Sequence, residues 1–287
     1  MTVNGCDCTI VVKTAHRETD IPFADETIRG AVSLLEEEAS IQGGGVCKAI
    51  RKNSGAVGCI VTPLGISTAP LLLSLAMGAA EKPVFVSETR NMYKRHLDLA
   101  PMEDTEHFDL IQKRGGDCFL YEGCRVNGFE LRIRREEKIK LKLDVCSERP
   151  PIAYSARSDR IEKASGELFS GDYSTYTING KDYKNIYGST LVSKKEGGTK
   201  TEIRIKRALE QGQDLPHLIE EFTITAQLLR DSYEFRQFGI FRITLTRLVL
   251  VSDGTEINTS GAVIGPLKYY VTGNVSTEVF TSGEEKI

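Results

Sequence analysis

The stretch from Tyr121 to Cys146 constrains the fold more than any other part of the chain, because its apolar residues recur at every second position from Phe129 to Ile133 and from Ile139 to Val145. They alternate with polar and charged residues up to Arg134, and the alternation resumes at Lys138 after a short polar break. Successive side chains of a strand point to opposite faces, so the pattern predicts two β-strands, each with one apolar and one charged face. A short connection favours antiparallel pairing, which predicts a long amphipathic hairpin. A hairpin is only marginally stable alone, so its apolar face needs a cover.

The two faces of this hairpin provide two sets of candidate residues. The apolar set, expected to build a core or an oligomeric barrel, comprises Phe129, Leu131, Ile133, Ile139, Leu141 and Leu143. The basic set, expected to contact phosphates or a neighbouring subunit, comprises Arg132, Arg134, Lys138, Lys140 and Lys142. No aromatic residues interleave these cations, as a platform for single-stranded nucleic acid requires. The sequence therefore favours a solvated face or a subunit interface.

Length and charge limit the function classes. The chain has 287 residues and a formal net charge of −3, so it suits two ordinary domains and has no overall attraction to nucleic acid or to anionic membranes. Its best apolar run, Ala69 to Ala80, is too short to span a bilayer. The first ten residues lack the basic and apolar regions of a signal peptide. We therefore expect a soluble protein, made in the cytoplasm, with no membrane partner.

Cysteines and known catalytic motifs indicate no enzyme. The cysteines all lie in the first half of the chain, at Cys6, Cys8, Cys47, Cys59, Cys118, Cys124 and Cys146. Without a secretory signal we expect reduced thiols, and the Cys6–Cys8 pair would complete a metal site only with further ligands that the sequence does not place nearby. Phosphate-binding glycine loops and the usual hydrolase motifs do not occur. We expect no catalytic residues, cofactor or metal; the enzyme alternative is a cysteine hydrolase pairing Cys118 with His107.

Four segments have helical patterns. Pro70 to Ala80 is apolar on nearly every side and begins with proline, which a first helical turn tolerates. Its residues Leu71, Leu72 and Leu75 are the expected cover for the apolar face of the hairpin. Ala24 to Ile41 also has helical spacing, with an extended segment as the alternative, since its glutamates lie at the wrong end for the helix dipole. Leu228 to Phe238 is the third predicted helix, and Ala208 to Ile219 would be a kinked one.

The paired prolines at Pro150 and Pro151 predict a domain boundary, which divides the chain into domains 1–150 and 151–287. The second half is rich in strand patterns, and Asn179–Gly180 predicts a tight turn. A terminal hairpin is expected around Gly273–Asn274. Its apolar residues are Leu267, Tyr269, Val271, Val275 and Val279. The sequence thus predicts the same order of elements in each half, namely strands, a helix and then an amphipathic hairpin. This shared order suggests a duplication.

This order of features resembles the tail tube proteins of long-tailed bacteriophages and prophages, in the form with two tandem tube domains. In the first half the resemblance is carried by Ile21-Pro22-Phe23, Val57 to Thr62, Leu71 to Gly78, and Tyr121 to Asn127. In the second half it is carried by Tyr176 to Gly180, Glu221 to Thr225, and Leu267 to Ser282. It covers nearly the whole chain through patterns and not through one diagnostic motif. The family pattern is not matched by the cysteine content, by the stretch from Glu88 to Gly116 or by the basic set on the hairpin.

The resemblance implies a mainly β fold of two tandem β-sandwich or barrel-type tail-tube domains, each with a short packed helix, contributing strands to an oligomeric β-barrel. It implies a structural virion protein whose stacked rings form the inner tail tube, a conduit for DNA ejection. The expected partners are the chain itself, as a pseudo-sixfold ring of three two-domain chains, and the tape measure, baseplate or tip, and terminator proteins. DNA would pass through the lumen without specific binding. The expected location is the virion tail, assembled in the host cytoplasm.

Two alternatives remain open beside this interpretation. A tube of a contractile injection device or secretion system has a related fold, usually with a single domain per chain. A two-domain β-sandwich that binds or decorates another surface would share the strand patterns but would not polymerise. Assembly into rings or tubes would distinguish the tail tube and the injection-device tube from the binding module.

Overall fold

The fold is mainly β, as the sequence predicts. It is seen in a computed structural model that describes residues 8–15, 17–37, 48–80, 82–87, 92–155, 161–164, 166–207, 215–231, 236–252 and 266–282. Strands account for 67% of the structure, and these ranges contain a single α-helix. No helix in the described part of the chain is long and apolar enough to cross a membrane.

The elements follow one another with short connections. The first part of the chain contains β1 (Cys8–Lys13), β2 (Glu18–Ile21), β3 (Asp25–Glu26), β4 (Arg29–Glu37), β5 (Lys48–Pro63), α1 (Ala69–Met77), β6 (Gly78–Ala80), β7 (Val84–Ser87), β8 (Met92–Leu99), β9 (Phe108–Arg114), β10 (Asp117–Arg134) and β11 (Lys140–Ser147). The remainder contains β12 (Ile152–Ala153), β13 (Glu162–Lys163), β14 (Ser174–Ile178), β15 (Lys181–Asp182), β16 (Ile186–Lys194), β17 (Lys200–Arg207), β18 (Leu218–Asp231), β19 (Arg236–Ser252), β20 (Leu267–Val271) and β21 (Val275–Ser282). Short 3-10 helices occupy Met102–Asp104 and Gly171–Tyr173.

Two compact units are built from alternating segments of the chain. The first unit comprises Met1–Ile60, His107–Arg125 and Asp144–Lys163, and the second comprises Val61–Glu106, Val126–Leu143 and Ala164–Ile287. Strands β5, β10 and β11 contribute residues to both units. The units therefore do not coincide with the halves 1–150 and 151–287, and the division into two tandem tube-like domains stays a prediction.

The first unit contains the antiparallel strands β2, β1, β9 and β10, paired in that order. One face of this sheet buries Val11, Ile111 and Leu120 together, with Cys118 packed beside them. A buried carboxylate, that of Glu26, holds the neighbouring corner of the unit. It accepts hydrogen bonds from Arg114 at 2.7 and 2.9 Å and from the backbone N–H of Ile28 at 2.5 Å.

The second unit contains a continuous antiparallel path of seven strands, β10–β16–β17–β20–β19–β18–β14. A branch leaves this path at β19 and continues through β21 and β8 to β7. Directly paired residues of neighbouring strands point to the same face. The register therefore defines rows of side chains that alternate between the core and the outer face.

One buried row shows how distant parts of the sequence share this core. Leu131 lies opposite Leu191, Leu191 opposite Ile203, and Ile203 opposite Tyr269. All four side chains are at most 1% exposed. The predicted alternation of β10 and β11 is confirmed, since every second residue of these strands is buried from Phe129 to Arg134 and from Lys140 to Ser147.

The predicted terminal hairpin around Gly273–Asn274 is wrong. Strands β20 and β21 lie end to end and both pair antiparallel with β19. The residues between β20 and β21 continue alongside β19. There the backbone N–H groups of Thr272 and Gly273 donate hydrogen bonds to the carbonyl groups of Arg247 and Thr246. A side chain at Gly273 would lie 2.6 Å from the carbonyl oxygen of Thr246. The glycine therefore permits close backbone approach here, and it does not mark a chain reversal.

Of the predicted helices, only the apolar one is confirmed, and it ends at Met77, because Gly78–Ala80 form the strand β6. Helix α1 is buried at every residue, including Leu71, Leu72 and Leu75, and it contacts β6, β8 and β21. That it covers the apolar face of the Tyr121–Cys146 stretch stays a prediction. Residues 29–37, inside the predicted helix Ala24–Ile41, form a strand, which agrees with the alternative prediction of an extended segment. Gly30 disfavours a helix there, and β4 gains its backbone hydrogen bonds from pairing with β5.

Two further predictions from local pattern fail because of strand pairing. Leu228 is not helical, since β18 pairs with β19 from Leu218↔Val249 to Asp231↔Arg236. The helix that the proposed duplication needs after Phe222 to Thr225 is therefore replaced by strand at 228–231 and 236–238. The sequence also predicts two strands, Val46 to Ile50 and Val57 to Thr62, around a turn at Lys52 to Gly55. From Lys48 to Pro63 these residues form one strand, β5. Of the kinked helix predicted at 208–219, residues 208–214 lie outside the described residues, and Leu218 begins β18.

Candidate interaction surface

The outer face of β10, β16, β17 and β20 carries an excess of positive charge. Pairing places Arg132, Thr190, Arg204 and Lys268 in one row, and Arg134, Gly188 and Lys206 in the next. We call this surface the basic face, and its charged residues are Glu130, Arg132, Arg134, Lys194, Lys200, Glu202, Arg204, Lys206 and Lys268. Seven of these nine side chains are cations, although the whole chain has a net charge of −3. The second unit therefore concentrates positive charge on one face.

The two carboxylates of the basic face neutralise only some of its cations. Glu202 contacts Arg204 at 2.6 Å and Lys268 at 2.5 Å, and Glu130 contacts Arg132 at 2.5 Å. Partial burial acts to raise the pKa of Glu202, but hydrogen bonds from Lys268 and Arg204 outweigh it and hold the pKa below its ordinary value. Glu202 therefore stays ionised between its two partners.

Three lysines of the basic face have no acidic partner among the described residues. These lysines are Lys194, Lys200 and Lys206, and all three side chains are exposed. Lys206 lies near the end of β17, whereas Lys194 and Lys200 lie directly opposite each other where β16 ends and β17 begins. Like charges directly opposite on neighbouring strands repel each other. A partner that brings negative charge to this end of the sheet would remove that repulsion.

An exposed apolar patch continues the basic face across the same sheet. Register places Tyr270 opposite Val249 and Val249 opposite Leu218, so the three side chains share the outer face. They are 47%, 42% and 52% exposed, and Val251 nearby is 47% exposed. The ring of Tyr270 also contacts the ammonium group of Lys268, which lies 5.2 Å from its centre. We call Leu218, Val249, Val251 and Tyr270 the apolar patch.

The turn of the Tyr121–Cys146 stretch is held in place by the segment that precedes β14. The backbone N–H of Gly171 donates to the carbonyl oxygen of Glu137 at 3.0 Å, and Lys138 forms an isolated bridge with Ser170. Glu136 adopts a left-handed backbone conformation, with φ of 65°. Its N–H donates to a carboxylate oxygen of Asp172 at 2.7 Å, and this bond with one from Ser170 lowers the pKa of Asp172. The turn is therefore fixed by specific contacts.

The structure places the sequence-predicted apolar residues in the core and their charged neighbours outside. Buried positions are occupied by Phe129, Leu131, Ile133, Ile139, Leu141, Leu143, Leu267, Tyr269, Val275 and Val279, and Val271 is half-buried. Burial raises the pKa of Tyr269 to about 12, and its hydroxyl donates to the carbonyl oxygen of Pro216 at 3.0 Å. Of the predicted basic set, Arg132 and Arg134 belong to the basic face, while Lys140 and Lys142 lie half-buried on β11. The roles proposed for these residues stay predictions.

Strand β7 is an apolar edge strand. Its side chains Val84, Phe85 and Val86 are 61%, 45% and 48% exposed. Among the described residues its partner is β8, with Val84 opposite Lys94 and Phe85 opposite Tyr93. On one side of β8, β6 pairs with Leu97 to Leu99 and β7 with Met92 to Lys94, and the opposite side of β8 pairs with β21. Strand β7 therefore forms one end of this branch of the sheet.

A buried lysine lies at the carboxyl end of α1. Lys195 is 2% exposed, and its ammonium group donates a hydrogen bond to the carbonyl oxygen of Met77 at 3.1 Å. Burial lowers the pKa of Lys195 to about 8. The carboxyl end of a helix favours a nearby cation, which explains why the side chain is directed there. The apolar pattern around α1 gives no sign of this lysine in the sequence.

The residues weighed for chemistry lie in separate surroundings. Arg125 donates a hydrogen bond to Nε2 of His107 at 2.8 Å, whereas Cys118 packs against the Val11 cluster. Burial raises the pKa of the Cys124 thiol to about 12, so this thiol is protonated at neutral pH. Cys6, half of the weighed metal pair, lies outside the described residues.

Sequence reasoning missed most of the basic face. It found the two arginines of β10, but it missed Lys194, Lys200, Arg204, Lys206 and Lys268 as their neighbours. The alternation in Thr201 to Ile205 carries a signal for one charged face of β17, but strand order across the sheet has no such local signal. Comparison with known proteins adds no identity, because no protein-family model and no curated protein matches the sequence.

Proposed function

We propose that the chain is a structural protein that assembles with copies of itself into stacked rings, forming the inner tail tube of a bacteriophage or prophage. The observation that carries the proposal is the apolar edge strand β7, which ends an open branch of the sheet. An exposed edge of this kind is a template for pairing with another chain, and natural proteins otherwise protect it with charges or prolines. The order of sequence features that resembles tail tube proteins supports the same role.

The proposed tube joins strands of neighbouring chains into a barrel around a lumen. Closure removes the free edges that long open sheets present. If a ring holds about 24 barrel strands, spaced by ~4.8 Å and tilted by ~40°, its backbone diameter is roughly 45 to 50 Å. A DNA duplex fits such a lumen. A pseudo-sixfold ring of three two-domain chains would supply this number of strands. The further partners in the virion tail would be the tape measure, tip and terminator proteins.

The lumen of such a tube must let DNA pass without holding it. Cations that contact phosphates release counterions and thereby bind the backbone whatever its sequence. The basic face would therefore retard DNA if it lined the lumen. We assign it to a contact between chains, which leaves the lumen free of these cations.

The purified protein is expected to form rings or hollow tubes in negative-stain electron micrographs. Lysine at both Val84 and Val86 should abolish them, because a charged edge strand resists pairing with another chain. Sedimentation velocity would show the double variant as a smaller species at the same concentration. Val57→Lys is the matched control, because Val57 is 54% exposed and lies in the other unit. A wild-type protein that stays monomeric in both measurements contradicts the proposed function.

Reversing the charges of Lys138, Lys140 and Lys142 to glutamate is expected to impair polymerisation. These residues are candidates for a ring contact or for the lumen, and reversal would place three negative charges there. Electron microscopy of the triple variant should show fewer or shorter tubes than the wild type. Normal tubes from a correctly folded triple variant would remove these lysines from the ring contact.

A further inference from the structure

The basic face and the apolar patch form one continuous outer surface of the second unit. Register connects them through a single row that runs from Glu130 through Val192, Glu202 and Tyr270 to Val249 and Leu218. Each residue of this row lies directly opposite the next on the neighbouring strand. The surface therefore has an apolar end next to a charged end on the same side of the sheet.

This combination fits a protein partner better than a nucleic acid. Protein interfaces typically bury an apolar centre within a polar and charged rim. Contiguous exposed apolar side chains of this kind mark interaction sites. Leu218 and Val249 offer nothing to a phosphate backbone, and Tyr270 is the sole aromatic side chain on the described rows. A platform for single-stranded nucleic acid would need several stacked aromatics.

We propose that this surface docks a second copy of the chain, whose acidic segment Glu103 to Glu106 meets the unpaired lysines Lys194 and Lys200 at one end of the basic face. Glu103, Asp104 and Glu106 are exposed and have no cationic partner among the described residues. Lys194 and Lys200 are the matching unpaired cations, directly opposite each other on neighbouring strands. The inference rests on the proposed self-assembly and names the contact that sustains it.

Charge also limits the symmetry of this contact. Two copies cannot meet through their basic faces, because like charges would be brought together and desolvated. The contact must therefore join the basic face of one copy to the acidic segment of another. When two copies share one such contact, it repeats from copy to copy and produces a ring when the rotation closes or a filament when it does not. The proposed ring requires this head-to-tail arrangement, whereas a reciprocal contact about a twofold axis would give a closed dimer.

The first test reverses the basic end of the surface. Replacing Lys194 and Lys200 with glutamate is expected to raise the protein concentration needed for assembly by about tenfold or more, measured by sedimentation velocity. Replacing Lys113 and Lys181 with glutamate gives the same change in net charge at exposed sites outside the surface. This control should assemble as the wild type does. Wild-type assembly should also weaken between about 0.1 and 0.5 M salt because salt screens the contact.

The second test restores the contact by exchanging charges. A variant with lysine at Glu103, Asp104 and Glu106 should assemble as poorly as the basic-face variant, since each has two surfaces of like charge. Mixing the two variants should restore assembly, because each surface of one now meets the opposite charge on the other. Circular dichroism and thermal unfolding would confirm that both variants fold.

Each outcome bears on a different claim. Wild-type-like assembly of the basic-face variant, or a mixture that fails to assemble, overturns the inference and leaves the proposed tube intact. Wild-type protein that never assembles overturns the proposed function as well. A third outcome is that the wild type binds duplex DNA, and that the basic-face variant loses this binding but assembles normally. The surface would then be a nucleic-acid site, and the inference would be wrong.

Discussion

Gly171→Ala is expected to lower the free energy of unfolding by about 3 kcal/mol, the upper part of the usual range for overpacking. A side chain at Gly171 would lie 1.9 Å from the carbonyl oxygen of Arg134 and 2.5 Å from its carbonyl carbon. Both are backbone atoms, so no rotamer change can relieve the overlap. The backbone at one of the two sites must move, and that movement would disrupt the hydrogen bond from Gly171 to Glu137.

Urea unfolding of the purified variant measures this loss as a lower midpoint with an unchanged slope. Gly116→Ala is the matched control. No atom lies within 4 Å of the position that a side chain at Gly116 would take, and this glycine is not in the left-handed region. The control should change stability by less than about 0.5 kcal/mol. A Gly171→Ala variant as stable as the control would mean that the turn around Glu136 is not held by the segment that contains Gly171.

The strands were predictable wherever a local pattern was strong enough to define them. The alternation from Phe129 to Val145 gives the faces of β10 and β11, because burial selects every second residue. Asn179–Gly180 gives the β14–β15 turn, because both residues take positive φ, 49° and 77°. The apolar run of Leu71 to Met77 gives α1, because a helix that is apolar all round must be buried.

Strand pairing was less predictable, because it depends on partners far along the chain. Leu228 has helical spacing with its neighbours, yet β18 forms thirteen registered pairs with β19. Such a ladder outweighs a helix propensity worth less than about 1 kcal/mol per residue. Gly273–Asn274 reads as a turn, yet β20 and β21 continue in one direction along β19. Glycine marks close backbone approach as readily as it marks a turn, and the local sequence does not distinguish the two.

The candidate surface was predictable only in part for the same reason. Arg132 and Arg134 were found because they alternate with buried residues on one strand. Lys206 becomes their neighbour only through the order β10–β16–β17. The apolar patch gave no signal, since Leu218, Val249 and Tyr270 each look like a core residue in sequence. Exposure on one shared face is a property of the sheet.

Lys195→Met is expected to raise the free energy of unfolding at pH 7 by about 2 kcal/mol. Burial lowers the pKa of Lys195 from 10.5 to about 8. At about 1.4 kcal/mol per pH unit, keeping the buried ammonium charged costs about 3 kcal/mol at neutral pH. The hydrogen bond to the carbonyl of Met77 is worth about 1 kcal/mol and is lost in the variant. Methionine keeps a similar length of apolar chain, so the loss of the charge dominates.

The pH dependence of this gain identifies its cause. Between pH 8 and 10.5 the unfolded lysine is protonated while the folded one is largely neutral, so the unfolded state binds more protons and wild-type stability rises with pH. The advantage of Lys195→Met should therefore be constant below pH 8 and shrink as pH rises towards 10. Burial raises the pKa of both Cys124 and Tyr269 to about 12, which destabilises the folded state above pH 9 to 10.

Because the Lys195→Met variant retains both Cys124 and Tyr269, their contribution cancels in the difference between the two unfolding curves. Urea unfolding of both proteins at several pH values from 6.5 to 9.5 gives that difference directly. A difference that stays constant over this range would mean that the ammonium group of Lys195 reaches water in the folded protein. The polar end of this side chain would then stabilise the end of α1 at no electrostatic cost, and the variant would gain nothing from losing it.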